Sequence, residues 1–368
     1  MRTWILNVLL LAITGLVFVG IAEATLRLFP SFLSEEAHLR LHWREVAGAD
    51  APFEHTVADP EIGFLYKPND TGTISRGDFS FVYHTDKQGF RNPESEEKST
   101  DVVIVGDSMA FGYGVADDET WISRLRKQNP DLRIHNLGMI GAAPQQYVRI
   151  LKRYGMSLHP KLVILVLFPG NDMEDATRFQ DWLDSGQTLP YLEWRSESRS
   201  DQDILKQYLN SSYLAVFLRS AIRSLGSELS NRTLTLDGGA RVELAPTVYD
   251  RQARLAHSKS QPFELVMQSL RRARGLVEAS NSELLVVLMP TKEEVYLPTI
   301  DEPAPELTTP FRDTLETEGF SVLDLTQPLI DAAKKHGAPL FFPIDGHPNV
   351  HGYGVIASIV QPMLEPTD

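Results

Sequence analysis

From residue 101 onward, short runs of β-branched and leucine residues alternate with longer segments in which apolar residues recur every three or four positions. The short runs predict buried strands and the longer segments predict amphipathic helices. The predicted strands are Val102 to Val105, Arg133 to Leu137, Leu162 to Phe168, Leu284 to Met289 and Ser321 to Leu325. The predicted helices are Thr120 to Gln128, Pro144 to Tyr154, Glu264 to Val277 and Leu329 to His336. This alternation indicates an α/β fold with a parallel sheet between helices, where ligands bind at the carboxyl ends of the strands.

Residues 26–98 depart from this alternation. They contain short strand-like pieces, such as Gly63 to Tyr66 and Phe79 to Tyr83, separated by turn residues. We therefore expect a small β-rich accessory region before the α/β domain, which we place at residues 99–366.

Residues 176–260 interrupt the α/β domain as an insertion. They combine an amphipathic helix, Ile204 to Leu225, with a hairpin over Thr233 to Leu244 that turns at Asp-Gly-Gly. A long segment of this kind serves either as a lid or wall over the site or as a surface for a partner or a membrane. The sequence leaves both interpretations open.

The N-terminus carries an uncharged run of twenty residues, Thr3 to Ala22, preceded by Arg2. A helix of that length reaches about 30 Å, the thickness of a bilayer's hydrocarbon core, so residues 1–25 predict a single transmembrane anchor. A cleaved signal peptide is the alternative, since Ala22-Glu-Ala24 has the small residues of a cleavage site. Positive charge before the run predicts an inner (cytoplasmic) membrane protein whose α/β domain faces the periplasm or exterior.

Composition narrows the class of protein. The chain has 368 residues, 42% of them hydrophobic, and can bury a full core. Its net charge is −14, with scattered lysines and arginines, so the clustered basic surface of a nucleic-acid-binding protein is missing. It contains no cysteine, which excludes disulfides, thiolate metal sites and cysteine nucleophiles together.

Separate segments carry groups suited to acyl transfer. Ser108 follows a predicted strand in the sequence Gly-Asp-Ser, where its hydroxyl can act as a nucleophile. His347 provides the base that a serine needs, and Asp345 the carboxylate that orients that base. Backbone N–H groups of Ser108 and Gly141 and the side-chain amide of Asn171 are candidate oxyanion donors, each commonly worth roughly 2.7 to 4 kcal/mol. We expect no metal and no cofactor.

The segments that carry these residues distinguish between serine-hydrolase families. Met109 and Ala110 follow Ser108, so the Gly-x-Ser-x-Gly elbow of α/β-hydrolases is absent. The chain instead resembles the SGNH (GDSL-type) hydrolase superfamily, whose blocks contribute Ser, Gly, Asn and His in this order. The matching segments are Gly106-Asp107-Ser108, Asn136 to Gly141, Gly170-Asn171-Asp172, and Asp345 with His347. The resemblance implies a three-layer α/β/α flavodoxin-like fold, with Gly141 as the likelier oxyanion donor and Gly138 as its rival.

Two details bear on the reaction. Asp345 precedes His347 by two residues, where many members of the superfamily have three, and we associate the shorter spacing with acyl-transferring branches. Pro290 to Pro298 resembles a stretch of SGNH-type enzymes that O-acetylate exported polysaccharides.

The resemblance therefore implies a membrane-anchored serine esterase acting on an O-acyl ester, with a carbohydrate ester among the candidates. It leaves open an O-acyltransferase on an extracellular polysaccharide, which would need a membrane-bound acyl-donor partner. A non-catalytic envelope binding module is the third alternative, although an intact set of Ser, Gly, Asn, Asp and His argues against it.

Overall fold

The computed structural model describes residues 2–33, 41, 53–93, 99–197, 212–224 and 232–364. The chain divides into two compact units, one formed by residues 1–49 with 197–232 and the other by residues 50–196 with 233–368. Of the predicted helix Ile204 to Leu225, residues 204–211 and 225 lie outside the described part.

The elements are numbered in chain order. The main helices are α1 Arg2–Leu28, α2 Ser108–Phe111, α3 Trp121–Gln128, α4 Pro144–Ile150, α5 Asp172–Asp184, α6 Tyr213–Ser224, α7 Pro246–His257, α8 Gln261–Glu278, α9 Lys292–Tyr296, α10 Thr308–Thr317, α11 Thr326–His336 and α12 Val350–Val360. The strands are β1 Thr56–Asp59, β2 Gly63–Tyr66, β3 Thr71–Ser75, β4 Ser80–His84, β5 Val102–Val105, β6 Ile134–Asn136, β7 Leu162–Leu167, β8 Arg232–Thr235, β9 Arg241–Leu244, β10 Glu283–Leu288 and β11 Ser321–Asp324.

In the first unit, a carboxylate joins two helices. Glu23 of α1 accepts the N–H groups of Tyr213 and Leu214, at the start of α6, at 3.0 and 2.9 Å. Burial acts to raise the pKa of Glu23, but its hydrogen bonds outweigh burial and lower it. Leu26 and Val216 pack in the same small apolar cluster. The helix in the middle of the insertion therefore packs on the N-terminal helix.

One prediction concerns the N-terminal helix. A transmembrane span needs about 20 consecutive, predominantly apolar residues. Within the described parts of the chain, no helix is both long and apolar enough to cross a membrane. The predicted anchor over residues 1–25 is therefore not supported.

The second unit is built on a five-stranded sheet in the order β11-β10-β7-β5-β6. Every pair of neighbouring strands is parallel, as the alternation of short and long apolar segments predicted. Counted along the chain from β5, this is the flavodoxin-like order 2-1-3-4-5. The direction of chain progression reverses between β5 and β7, which creates a crevice at their carboxyl ends. Ser108 and Asn171 directly follow these two strands.

Alternate side chains of each strand enter two separate cores. Val103 and Val105 of β5 point into one core, which also holds residues of α4, α5, α8 and α10. Val102 and Ile104 of the same strand enter the other, shared with α3, α9, α11 and α12. The sheet is thus buried on both faces, which explains its nearly continuous apolar strands.

The accessory region forms two antiparallel hairpins, β1–β2 and β3–β4. Phe64, Tyr66, Phe81 and Tyr83 from these hairpins are buried in the first core. Because this contribution is large and aromatic, the hairpins are part of the core rather than a loose addition to it.

The predicted hairpin of the insertion is present as β8 and β9. Leu236 and Ala240 close its turn through a 2.8 Å hydrogen bond, and Gly239 adopts a left-handed φ of 80°. The Asp-Gly-Gly sequence predicted this turn because glycine adopts positive φ without steric cost.

A buried arginine fixes the segment that follows α2. Arg91 is 4% exposed and donates to the carbonyl oxygens of Gly112 and Val115, each at 2.7 Å. Its Nε donates to Asp117 at 2.6 Å. These bonds satisfy carbonyl groups of the loop next to Ser108 that would otherwise be buried without donors.

Replacing Arg91 with methionine is expected to lower the free energy of unfolding by about 3 kcal/mol, because the buried carbonyl groups of Gly112 and Val115 lose their donor and Asp117 loses one of its two partners. Urea unfolding followed by tryptophan fluorescence measures the change. The exposed Arg254→Met is the control and should alter stability by less than about 0.5 kcal/mol. A loss below about 1 kcal/mol in the Arg91 variant would contradict this role.

Candidate active site

The turn after β5 places Ser108 in the crevice. Gly106 packs so closely on β7 that a Cβ there would lie 2.9 Å from the Val166 carbonyl oxygen. The Asp107 carboxylate is fully buried and accepts the Met109 N–H at 2.9 Å, which caps the short helix α2. Ser108 begins this helix and is 4% exposed. The turn formed by Gly106, Asp107 and Ser108 therefore fixes the position of the Ser108 hydroxyl.

Ser108, His347 and Asp345 form a continuous hydrogen-bonded chain. The Ser108 Oγ lies 2.8 Å from His347 Nε2, and Asp345 Oδ1 lies 2.5 Å from His347 Nδ1. Asp345 Oδ1 also accepts the backbone N–H of His347 at 2.8 Å. The structure thus brings the predicted Ser108 together with the predicted Asp345 and His347, which lie more than two hundred positions later in the sequence.

Asp345 is held as a carboxylate. Its burial acts to raise the pKa, but the charge of His347 and the hydrogen bonds from the His347 ring and backbone outweigh burial and lower it. An ionised Asp345 favours the tautomer of His347 with the proton on Nδ1, which leaves Nε2 to accept a proton from Ser108.

An aromatic ring covers the imidazole. The Tyr113 ring centroid lies 4.6 Å from that of His347, with the planes inclined at 45°. The Arg76 Nε donates to the Tyr113 hydroxyl at 3.0 Å. This packing restricts rotation of the imidazole about its χ2 torsion.

Asp107 connects Ser108 with Asn171. Its Oδ2 accepts the Asn171 Nδ2 at 3.3 Å and lies 3.4 Å from the Ser108 Oγ. Burial raises the pKa of Asp107. The predicted amide donor is therefore beside the predicted nucleophile.

The segment Asn136 to Gly141 offers two glycines as predicted oxyanion donors, and their N–H groups differ in their hydrogen bonding. The Gly138 N–H already donates to the Asn136 side chain at 2.8 Å. The Gly141 N–H has no acceptor among the described residues, and its φ of 70° suits glycine. Phe53 lies against Gly141, with a ring carbon 3.1 Å from where a Cβ would be.

Part of the insertion contacts the loop that carries Asp345 and His347. The Glu243 N–H, in β9, donates to the Pro343 carbonyl at 2.7 Å. The Tyr249 hydroxyl, in α7, lies 3.6 Å from the position of a Cβ on Gly346. The segment after Thr233 therefore contacts the loop that carries Asp345 and His347, whereas a role of the insertion as a lid or wall over the site stays a prediction.

Two residues that contact the loop of Asp345 and His347, Lys292 and Asp78, had no role predicted from the sequence. Lys292 lies within the stretch Pro290 to Pro298, which follows β10. This position at the carboxyl end of a strand was the sequence feature that could have pointed to it. Asp78 lies in the turn between β3 and β4 and had no signal in the sequence. Across the described residues, no group of three or more His, Asp or Glu side chains is arranged to hold a metal ion.

No protein-family model matches this chain. No curated protein matches it either.

Solved structures similar to this chain are distant. A protein assigned to the lipolytic G-D-S-L family from Desulfitobacterium hafniense is 13% identical, with a TM-score of 0.39, covering 72% of this chain and 99% of its own. A member of the same family from Veillonella parvula is 13% identical, with a TM-score of 0.38 and coverages of 72% and 97%. An acetylxylan esterase from Geobacillus stearothermophilus, solved as a catalytic mutant, is 12% identical, with a TM-score of 0.38 and coverages of 74% and 98%.

The sequence segments around Ser108, Gly141, Asn171 and His347 resemble those of the SGNH (GDSL-type) superfamily. Two of the structural neighbours carry the G-D-S-L name in their descriptions. Similarity at this level carries no information on substrate or mechanism, so both are argued from the site.

Asp175, in the first turn of α5, is a buried titratable group. It pairs with Arg178 at 2.5 Å, yet burial raises its pKa to about 6, against the opposing charges of Arg178 and Arg195. The folded chain therefore binds this proton more tightly than the unfolded chain, where the ordinary value is 3.8.

Stability should accordingly fall as the pH rises from about 4 to about 6, because the contribution of protonated Asp175 is present below its unfolded pKa and is lost through its folded pKa. A difference of about two pKa units corresponds to about 3 kcal/mol. Asp175→Asn should flatten this part of the stability curve. Urea unfolding of wild type and Asp175→Asn across that pH range checks this prediction. Equal slopes of the free energy of unfolding against pH in the two proteins would show that Asp175 is not responsible.

Proposed function

We propose that this protein is a serine esterase that removes an acyl group from an O-acyl ester, with Ser108 as nucleophile, His347 as general base and Asp345 as its orienting carboxylate. The observation that carries the proposal is the 2.8 Å contact between Ser108 Oγ and His347 Nε2, backed by the 2.5 Å contact between His347 Nδ1 and Asp345. This contact activates a hydroxyl that is otherwise a poor nucleophile at neutral pH.

The first half-reaction forms an acyl-enzyme. As the Ser108 Oγ bonds to the ester carbonyl carbon, its proton moves to His347 Nε2. The imidazolium then gives this proton to the alcohol oxygen as the bond between that oxygen and the carbonyl carbon breaks. Asp345 stabilises the imidazolium through Nδ1 without taking its proton.

The second half-reaction returns the serine. A water molecule gives a proton to His347 Nε2 while its oxygen bonds to the acyl carbon, and the Ser108 oxygen leaves with that proton. The products are a carboxylic acid and an alcohol, and no redox step or cofactor is needed.

The oxyanion that forms in both half-reactions needs fixed donors. We assign the backbone N–H groups of Ser108 and Gly141 and the side-chain amide of Asn171 to this role. The Asn171 Nδ2 carries two protons, and one of them donates to Asp107. The second is left for the oxyanion, where such a donor commonly contributes about 10²- to 10³-fold in kcat.

A fluorophosphonate probe should label the full-length protein at a single serine, because the probe reacts with activated serines whatever their natural substrate. Ser108→Ala should abolish labelling, and His347→Ala should slow it by at least about 100-fold. Gel fluorescence gives the rates and peptide mass spectrometry gives the site. Labelling at another serine, or equal labelling of folded Ser108→Ala, would contradict the assignment.

Transfer to a carbohydrate hydroxyl is the second candidate. Two observations favour it: the two-residue spacing of Asp345 and His347, and the likeness of Pro290 to Pro298 to polysaccharide O-acetylating enzymes. The same acyl-enzyme on Ser108 would serve both fates, since only the acceptor of the acyl group differs.

With p-nitrophenyl acetate as donor, we expect acetate as the main product and less than about twofold acceleration of p-nitrophenol release by a panel of neutral and acidic oligosaccharides. Release measured by absorbance and products measured by mass spectrometry separate the two fates, with Ser108→Ala as the blank. Strong acceleration together with acetylated sugar would instead assign the protein as a transferase.

A further inference from the structure

The Asp345–His347 pair stands on a short loop, residues 342–347, with little regular structure of its own. The Phe342 N–H donates to the His347 carbonyl at 3.1 Å and closes the loop. A single bridge between Phe341 and Pro348 flanks it. Since neither a helix nor a ladder fixes this loop, contacts from other elements must help to set the position of the imidazole.

Lys292 of α9 binds one side of this loop. It is 2% exposed, and its Nζ donates to the carbonyl oxygens of residues 342, 343, 344 and 345 at 3.4, 3.2, 3.0 and 3.3 Å. Burial lowers the pKa of Lys292, while the charges of Glu293, Asp345 and Asp78 oppose that change. A buried ammonium group is costly unless its donors are satisfied, and here four consecutive carbonyl groups satisfy them.

Asp78 binds backbone N–H groups of the same loop. Its Oδ2 accepts the N–H groups of Ile344 and Asp345, at 2.5 and 2.8 Å. The next residue, Phe79, packs on Phe342 with ring centroids 4.6 Å apart. The turn between β3 and β4 thus holds the backbone N–H groups of the loop while α9 holds its carbonyl groups.

We propose that Lys292 and Asp78 are positioning residues that fix the Asp345–His347 pair against Ser108 by binding the loop backbone from two elements. This inference rests on the proposed serine mechanism. Neither side chain contacts the Ser108 Oγ or the His347 ring, so both act through the loop. A displacement of about 1 Å at a catalytic group can cost about 100-fold in rate, which gives such positioning a direct effect on catalysis.

The first test compares Lys292→Met and Asp78→Asn with two matched controls on exposed residues, Lys335→Met and Asp237→Asn. We expect kcat for p-nitrophenyl acetate to fall by about 10- to 100-fold in the two loop variants, with KM within about threefold of wild type. The controls should match wild type. Folded variants with wild-type kcat, or an effect confined to KM, would overturn the proposal.

A second test separates positioning from a general effect on the fold. In a His347→Ala background the imidazole is absent, so its placement cannot matter, and Asp78→Asn should lower the residual rate by less than about twofold. A loss as large as that in the wild-type background would show that Asp78 acts independently of the pair.

The absence of cysteine from the chain permits a third test. Lys292→Cys introduces one thiol, which 2-bromoethylamine converts, in unfolded protein, into a sulfur-containing analogue of lysine before refolding. We expect this product to recover at least about ten times the activity of the same variant alkylated with 2-iodoethanol, which has no charge. Wild-type protein taken through the same steps is the reference. Equal activity of both products would show that the ammonium group is not required.

Failure of the positioning role can be distinguished from failure of the proposed function. If wild-type protein shows no labelling at Ser108, the serine mechanism itself is wrong. If Ser108 is labelled normally in wild type, Lys292→Met and Asp78→Asn alike, the mechanism stands and the positioning role does not.

Discussion

The proposed function depends on one hydrogen bond, that between the Ser108 hydroxyl and His347 Nε2. Its two partners come from opposite ends of the catalytic region, the first strand of the parallel sheet and a loop near the last helix. A contact of 2.8 Å between them requires that both segments be fixed by the rest of the fold. Gly106 and the Asp107 cap fix the serine, while the loop holding His347 is bound from several elements.

This requirement explains why segments outside the parallel sheet matter for the site. The β3–β4 hairpin contributes Asp78 and buries its aromatic residues in one of the two cores. The insertion contributes the Glu243 N–H to the Pro343 carbonyl. Parallel sheets place catalytic loops at one edge, but they do not fix the shape of a loop that is not itself paired. Here the accessory segments provide that restraint.

Much of the catalytic region could be predicted from the sequence, because a strand buried on both faces must be apolar throughout. The predicted strands Val102 to Val105 and Leu162 to Phe168 agree with the structure to within one residue. The helix predicted from Pro144 to Tyr154 keeps α-helical geometry only to Ile150 and then continues in a wider π-helical turn to Gly155. Periodicity of apolar residues does not distinguish these two geometries.

Other features could not be predicted, for physical reasons. The uncharged run Thr3 to Ala22 indicated a membrane span that the described helices do not support. Lys292 and Asp78 bind backbone groups, and any residue type can provide such groups, so no pattern in the sequence identifies the partner. The hydrogen bond from the Gly138 N–H to the Asn136 side chain also had no signal in the sequence. The preference for Gly141 over Gly138 came from the resemblance and stays a prediction.

The most direct test of the central claim is to trap the acyl-enzyme. Full-length protein mixed with p-nitrophenyl acetate and quenched in acid within the first turnover should carry one acetyl group on the peptide that contains Ser108, detected by mass spectrometry. Loss of this adduct in Ser108→Ala, with the rest of the peptide map unchanged, is the expected result. Ester cleavage by wild-type protein without any acetyl group on Ser108 would contradict the account.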